Sequence, residues 1–303
     1  MLRILCAAPL LLGLHAGSGV RDMLEPLLNR LEKRVAARQI PPAHTAVGRQ
    51  RLADVPRAGG ATFDHAAWDR CLKAHVRPGG TAGAIAGVHL VDYAGLAADP
   101  DFDAYLAQLA AADVPALGAR ERLALYINAY NALCCAHVVR HVRDATADAP
   151  PLRSILELKS PGEVVWDRYA GTVGGERLSL NQVEHDKLRR AWAEPAVHAC
   201  IVCASASCPD LRAEAFVAPR LEEQMSAQLA AWLAHPAKGA IAEGPGRVRL
   251  SRILLWFEDD WGGAAGVRAF LLGQPLADGV AAALSAPRPA VRFFEYDWRL
   301  NGA

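Results

Sequence analysis

The segment 198–209, which reads HACIVCASASCP, contains the residue types from which a thiol nucleophile is built. Its apolar first half predicts a buried strand over residues 196–203, and its small-residue second half predicts a loop. Cys203 would then lie at a strand end, where its thiol and free backbone N–H groups can meet a substrate. A catalytic thiol also needs a base, which His185 or His198 can supply.

The two histidines are not equally suited to this role. His198 and Cys203 stand five positions apart, so in a regular strand their side chains lie on opposite faces and a direct pair requires a bulge. His185 is therefore the preferred base. Glu184 precedes it directly, and adjacent side chains on a helix diverge by about 100°. Glu184 is thus a support candidate that is not expected to orient the imidazole.

Asn128, Tyr130 and Asn131 lie on the strongest predicted helix, residues 119–142, which is apolar around almost its whole circumference. A helix of that kind is buried. An unsatisfied buried polar group costs about 1–3 kcal/mol, so both asparagines are expected to be hydrogen-bonded. They either position a substrate or bond to loops that cross the helix.

Other interpretations of the cysteine segment stay open. Cys203 can be a core residue, with Ser205 and Ser207 capping a turn rather than supporting a site. Cys203 and Cys208 with a histidine would be soft metal ligands, but their spacing is looser than that of a zinc knuckle and no second pair exists. We therefore predict neither metal nor cofactor.

Cys200 and Cys203 form a Cys-x-x-Cys motif. The motif lies within a predicted strand rather than at a helix N-terminus, so it lacks the feature that lowers the pKa of a redox thiol.

The elements that must position these residues are mostly helices. Helices are predicted over 22–38, 63–76 (capped at Thr62), 101–112, 119–142, 154–158, 219–234, 266–272 and 278–284. Strands are predicted over 164–180 and 291–296, and residues 247–256 are predicted as either a strand or a short helix. Gly174-Gly175 predicts a hairpin turn. Asn181 is expected to begin the next helix, with Glu184 completing a capping box. The fold class is α+β, a predominantly helical single domain with a small sheet that includes a β-hairpin.

Composition limits the class of protein. The 303 residues are 52% hydrophobic, which suffices for a core, and carry a formal net charge of +1. Such a chain has no overall attraction for nucleic acid, so the predicted partner is a small molecule or peptide. Residues 63–303 are predicted to form the globular domain, and 17–62 an N-terminal helix and linker.

The N-terminus resembles an export signal in its pattern. The apolar run 4–14 follows Arg3 and precedes a small-residue cleavage point near residue 16. It is too short to span a bilayer, so no integral membrane span is expected. An exported chain would keep six of its seven cysteines, and Cys208 could then enter a disulfide. Export to the periplasm or medium and a cytoplasmic location both remain open.

Four strings resemble the pattern of the domain-of-unknown-function 547 family. They are LYINAYNAL (125–133), VEH (183–185), HACIVCASASCP (198–209) and YDWRLN (296–301), and they follow the family's order. Tyr126 and Cys200 depart from the usual residues but keep buried character. The resemblance implies no settled activity. Bacterial relatives often carry export signals, and plant relatives look like scaffold proteins.

Three functions are consistent with these residues. The first is a cysteine-dependent hydrolase or acyl transferase, with Cys203 as nucleophile and His185 or His198 as base. The second is a ligand- or protein-binding scaffold module without catalysis. The third is a structural domain without a small-molecule site.

Overall fold

The computed structural model of the chain describes residues 18–42, 48–146, 148–158 and 163–302. Its α-helices are α1 (Ser18–Gln39), α2 (Ala66–His75), α3 (Tyr93–Ala98), α4 (Pro100–Ala110), α5 (Ala119–Asp144), α6 (Leu180–Gln182), α7 (Val197–Cys200), α8 (Leu221–Ala234), α9 (Ile253–Trp256), α10 (Gly263–Leu272) and α11 (Val280–Leu284). A seven-residue π-helix, Val183–Arg189, continues α6. Short 3₁₀ helices occupy Leu52–Asp54, Val114–Ala116, Ile155–Glu157, Ala218–Arg220 and Glu258–Trp261.

Seven strands form three small sheets in the described residues. They are β1 (Val76–Ala82), β2 (Ile85–Val91), β3 (Tyr169–Val173), β4 (Glu176–Ser179), β5 (Ala240–Gly244), β6 (Arg247–Leu250) and β7 (Ala290–Phe293). The pairs β1–β2 and β3–β4 are antiparallel hairpins, and the third sheet has the order β5-β6-β7 with β6 and β7 parallel. The prediction of a mostly helical α+β fold with a hairpin is confirmed.

The described residues group into two compact units. One contains the described part of Met1–Val47 together with Leu233–Glu295, and the other the described part of Gly48–Trp232 together with Tyr296–Ala303. All the candidate site residues belong to the second unit. The predicted boundaries at residues 16 and 62 stay predictions, and the predicted export signal lies outside the described residues.

The first unit is built around the three-stranded sheet. Helix α11 packs on β5 and β6, and α1 packs on α9. Glu32 of α1 accepts a hydrogen bond from the indole nitrogen of Trp256 at 2.8 Å and pairs with Arg252. A nearly buried carboxylate is tolerated there because both partners satisfy it.

The second unit is built around α5. Every residue from 123 to 139 in this helix is buried, as its apolar circumference predicts. Helix α5 packs against α3, β3 and the π-helix. The polar side chains on α5 therefore lie inside the unit and must find partners there.

One predicted strand is wrong, and it is the one that leads to Cys203. Residues 197–200 form helix α7, and an extended stretch outside any sheet follows from residue 201 to 203. The turn forms because the His198 N–H donates to Pro195 O and the Ile201 N–H to Val197 O. A short buried apolar run fits a helix or a strand equally well, so periodicity could not distinguish them.

Two predicted caps are also wrong. The helix after the β3–β4 hairpin is capped by Ser179, which forms a capping box with Gln182, two positions before the predicted Asn181–Glu184 pair. Strand β4 ends at Ser179, so the chain enters the helix there. Helix α2 begins at Ala66, and its N-cap residue is His65 rather than Thr62.

The β1–β2 hairpin has no counterpart in the sequence predictions. Its register shifts between Arg77 and Gly80 and again before Thr81. Pro78 and two glycines interrupt the alternation that marks a strand.

Among the described residues, no helix has the length and apolarity needed to cross a membrane.

Candidate active site

Three polar side chains meet around the Cys203 sulfur. Cys203 Sγ lies 2.9 Å from Cys208 Sγ, 3.0 Å from Ser205 Oγ and 3.2 Å from Tyr296 Oη. Ser205 Oγ also donates to Tyr296 Oη at 3.1 Å, and the Cys203 N–H donates to Cys208 Sγ at 3.0 Å. We call Cys203, Ser205, Cys208 and Tyr296 the thiol cluster.

The thiol cluster favours a charged Cys203. Burial by itself raises the pKa of the Cys203 thiol, but hydrogen bonds to Cys208, Ser205 and Tyr296 and from the Ser205 backbone N–H outweigh it and lower the pKa to about 7. Burial raises the pKa of Cys208 well above its usual value, and the bond to Cys203 raises it further. Cys208 and Tyr296, whose pKa burial also raises, therefore stay protonated and donate to the Cys203 thiolate.

The backbone bends sharply directly after Cys203. Ala204 has φ +60°, and it is the one non-glycine residue with positive φ in the part of the chain that the structure describes. A left-handed conformation costs a non-glycine residue about 1–3 kcal/mol and persists only where its surroundings hold it. The Asn301 N–H donates to the Ala204 carbonyl at 3.0 Å. This bend returns the Ser205 backbone N–H to the thiol of Cys203.

The C-terminal segment 296–301 lines the loop that follows Cys203. The Ala206 N–H donates to Arg299 O at 2.8 Å, and Ser207 bonds twice to Asp297, through its own N–H and through its Oγ, which accepts from the Asp297 N–H at 2.8 Å. Ser207 thus holds the segment in place rather than facing the sulfur of Cys203. The segment in turn brings Tyr296 to the cluster.

Asn131 fixes the approach to Cys203 from the other side. Its Nδ2 donates to Cys200 O at 2.9 Å, and its Oδ1 accepts from the Val202 N–H at 2.8 Å. One side chain of α5 thus supplies the partners that a neighbouring strand would otherwise supply to the extended stretch. Asn128 makes the same pair of bonds to the main chain of Phe216, at 2.7 and 3.0 Å.

The predicted bases lie on separate elements. His185 is buried in the π-helix, and its Nδ1 lies 2.9 Å from Arg189 Nη1. His198 is buried in α7. Within the described residues, the hydrogen bonds of Cys203 run to the thiol cluster rather than to a histidine, so the identity of a base stays a prediction.

Glu184 and Tyr130 connect the π-helix to α5. Tyr130 Oη lies 3.5 Å from Glu184 Oε2. Burial raises the pKa of Tyr130 well above its usual value, and the charges of Glu184 and of the neighbouring cysteines raise it further. Tyr130 therefore remains a hydroxyl donor. Such π-helices are frequent at functional sites.

Two members of the thiol cluster had no predicted catalytic role. The sequence predicts Cys208 as a member of the cysteine segment that could act as a metal ligand or disulfide partner, and Tyr296 only as part of the string YDWRLN. The sequence signal for Tyr296 is the aromatic Trp298 in the same string. In the structure the ring centroids of Tyr296 and Trp298 are 4.3 Å apart, and Trp298 meets Trp166 edge-on.

In the described residues no group of three or more His, Cys, Asp or Glu side chains is placed to hold a metal ion.

Comparison with known proteins finds a family model that is similar to one part of the chain. Residues 114–233 match the model of the family described as "Protein of unknown function, DUF547". This confirms the resemblance over that range, which includes α5, the π-helix and Cys203 but ends before Tyr296. No curated protein and no solved structure matches the chain.

Proposed function

We propose that the chain is a cysteine-dependent hydrolase or acyl transferase with Cys203 as its nucleophile. The observation that carries the proposal is the convergence of hydrogen-bond donors on the Cys203 sulfur. A thiol is nucleophilic only as a thiolate. Because the hydrogen bonds lower the pKa of Cys203, its thiolate fraction at pH 7 exceeds the few per cent of an unperturbed cysteine.

The proposed reaction is acyl transfer through a thioester. The Cys203 thiolate attacks a carbonyl carbon, the carbonyl oxygen takes up the negative charge, and the leaving group departs with a proton from solvent when the carbonyl re-forms. Water or an acceptor nucleophile then releases the acyl group and returns the thiolate. Donors held rigidly beside the reacting atom stabilise developing charge most effectively.

The residues of the thiol cluster have separate roles in this proposal. Tyr296, Cys208 and the Ser205 N–H stabilise the thiolate of the resting enzyme. Ser207 and Asn131 are positioning residues, because they hold the main chain on either side of the bend. His185 or His198 remains the predicted base for the water or acceptor in the second half-reaction.

The test is acylation by a small activated ester. We expect p-nitrophenyl acetate to place one acetyl group on Cys203 of the native full-length chain, seen by mass spectrometry after acid quench. Cys203→Ser should lose at least about 90% of this label, because a serine hydroxyl is not ionised at pH 7.

Cys200→Ser is the matched control. Cys200 is also buried and lies three residues earlier, but burial raises its pKa. We expect this variant to acetylate as the unmodified protein does. Acetylation that is spread over several residues, or that survives Cys203→Ser undiminished, would reject the proposed nucleophile.

A further inference from the structure

The thiol cluster contains a second cysteine that acyl transfer does not require. Cys203 and Cys208 are both free thiols, five positions apart in one loop, with their sulfurs 2.9 Å from each other. Two contacts fix this approach: the Cys203 N–H donates to Cys208 Sγ, and the Cys208 N–H donates to Ser205 O at 3.1 Å. The loop itself therefore holds the two sulfurs together.

We propose that Cys203 and Cys208 are a redox-active dithiol, in which Cys203 is oxidised by hydrogen peroxide or a small organic hydroperoxide and Cys208 closes a disulfide with it. The proposal uses the sulfur of the proposed nucleophile but rests on the two thiols alone. It holds whether or not the chain transfers acyl groups.

The reaction balances in two steps. The Cys203 thiolate attacks the outer oxygen of hydrogen peroxide, the O–O bond breaks, and the departing hydroxide takes a proton to leave water and a sulfenic acid on Cys203. Formation of the sulfenic acid removes the Cys203 charge that helps to raise the pKa of Cys208. Cys208 then gives its proton to solvent, its thiolate attacks the sulfenic sulfur, and the departing hydroxide takes up a proton, which gives a second water and the disulfide. The two thiols lose two electrons, and peroxide gains them. A small dithiol such as dithiothreitol reverses the change by exchange.

The geometry suits this sequence. A disulfide has an S–S bond of about 2.05 Å, so the sulfurs need to approach by less than about 1 Å from their present separation. Both lie in a loop rather than in a helix or strand, which permits such a movement. The hydrogen bonds that favour the thiolate of Cys203 also favour its reaction with peroxide, and Cys208 remains the protonated partner.

The neighbouring cysteines lack this arrangement. Cys134 and Cys135 are buried on α5, and burial raises the pKa of both thiols. Cys71 is buried on α2, and burial raises its pKa to about 12. Oxidation should therefore select the loop pair. The selectivity can be measured within one protein sample.

The experiment is peroxide oxidation of the full-length chain that carries Cys200→Ala. Free thiols are alkylated in denaturant after the reaction, and the tryptic peptide 191–212 is analysed, because in this variant Cys203 and Cys208 are its two cysteines. We expect the peptide to lose two hydrogen atoms and to escape alkylation after treatment with stoichiometric peroxide. Dithiothreitol should restore both thiols, and the peptides of Cys71, Cys134 and Cys135 should remain alkylated.

Cys208→Ser separates the two steps. Oxygen replaces sulfur with little change of shape, so the first step should proceed and stop at a sulfenic acid on Cys203, which dimedone traps. If Cys203 stays reduced while other cysteines oxidise, or if it advances to sulfinic acid without a disulfide when Cys208 is present, the dithiol proposal is wrong. A disulfide without acetylation by the ester would reject acyl transfer alone, and the reverse result would reject the dithiol alone.

Discussion

At the residue scale, the chemistry of Cys203 depends on opposing effects on one sulfur. Burial disfavours the thiolate, and Cys203 is only 9% exposed. Hydrogen bonds from the thiol cluster favour the thiolate and prevail, so the pKa falls to about 7. The six free cysteines in the described residues include five whose pKa is raised. Because all six thiols are buried, the difference between their pKa values comes from the hydrogen-bond donors around each sulfur.

Tyr296→Phe should raise the pKa of Cys203. The substitution removes one hydroxyl donor and keeps the aromatic ring beside Trp298. A hydrogen bond to a charged group contributes about 1.5–3 kcal/mol, so the pH midpoint of Cys203 alkylation should rise by at least about one pH unit.

The matched control is Tyr169→Phe on β3. The hydroxyl of Tyr169 bonds to Thr172 Oγ1 at 2.9 Å, and the side chain is exposed. This variant should leave the alkylation midpoint of Cys203 unchanged. An equal shift in both variants would show that the Tyr296 hydroxyl does not act on the thiolate directly.

At the element scale, α5 organises the site through two asparagines that bond to main chain. Asn131 holds the extended stretch before Cys203, and Asn128 holds Phe216. Their spacing of three places them on the same side of the helix. The sequence predicted that both would be hydrogen-bonded, because an unsatisfied amide on a buried helix costs free energy. It could not show which loops they bond, since those contacts join residues about 70 to 90 positions apart.

Asn131→Ala and Asn128→Ala form a matched pair of variants. Each leaves one N–H and one carbonyl of the main chain without a partner, so each should lower the free energy of unfolding by about 2–6 kcal/mol. Urea denaturation measures this loss.

The two variants should differ at the thiol. Asn131→Ala frees the stretch that leads to Cys203 and should change the rate of Cys203 alkylation in the folded protein, whereas Asn128→Ala should not. Equal alkylation rates in the two folded variants would mean that Asn131 supports the fold without positioning the nucleophile.

The elements that sequence predicted well are those with a local cause. Gly174 and Gly175 both have positive φ, 57° and 79°, which glycine adopts without strain, and the predicted hairpin is present. Helix α5 has a continuous apolar pattern and is found where expected. The run before Cys203 was assigned wrongly because its path is set by Asn131 in a distant helix. Tyr296 reached the site through tertiary contacts that no local pattern reveals.

At the scale of the whole molecule, buried histidines make the fold sensitive to acid. Burial lowers the pKa of His65 to about 4, against its usual 6.5, and that of His137 to about 3. The unfolded chain therefore binds more protons than the folded chain as the pH falls through 6.5. The stability that these neutral rings provide is present above that pH and is lost progressively as the pH falls towards 4 for His65 and towards 3 for His137.

His65→Gln should flatten the dependence of stability on pH. In the unmodified protein, His65 should account for a loss of about 2 kcal/mol between pH 7 and pH 5, which Tm measurements at both values detect. Because glutamine does not titrate, the variant should show a smaller fall in Tm over this interval. His141→Gln, at a half-buried position on α5, is the control and should keep the full fall. An unchanged pH dependence in the His65 variant would contradict this account.

The measurement that tests the central claim most directly is the pH–rate profile of iodoacetamide labelling in the native chain, resolved to single cysteines by mass spectrometry. The account predicts that Cys203 labels first, with a midpoint near pH 7, and that Cys200 stays unlabelled until the chain is denatured. A Cys203 that labels only after denaturation, or with a midpoint at or above the ~8.5 of an ordinary thiol, would contradict it.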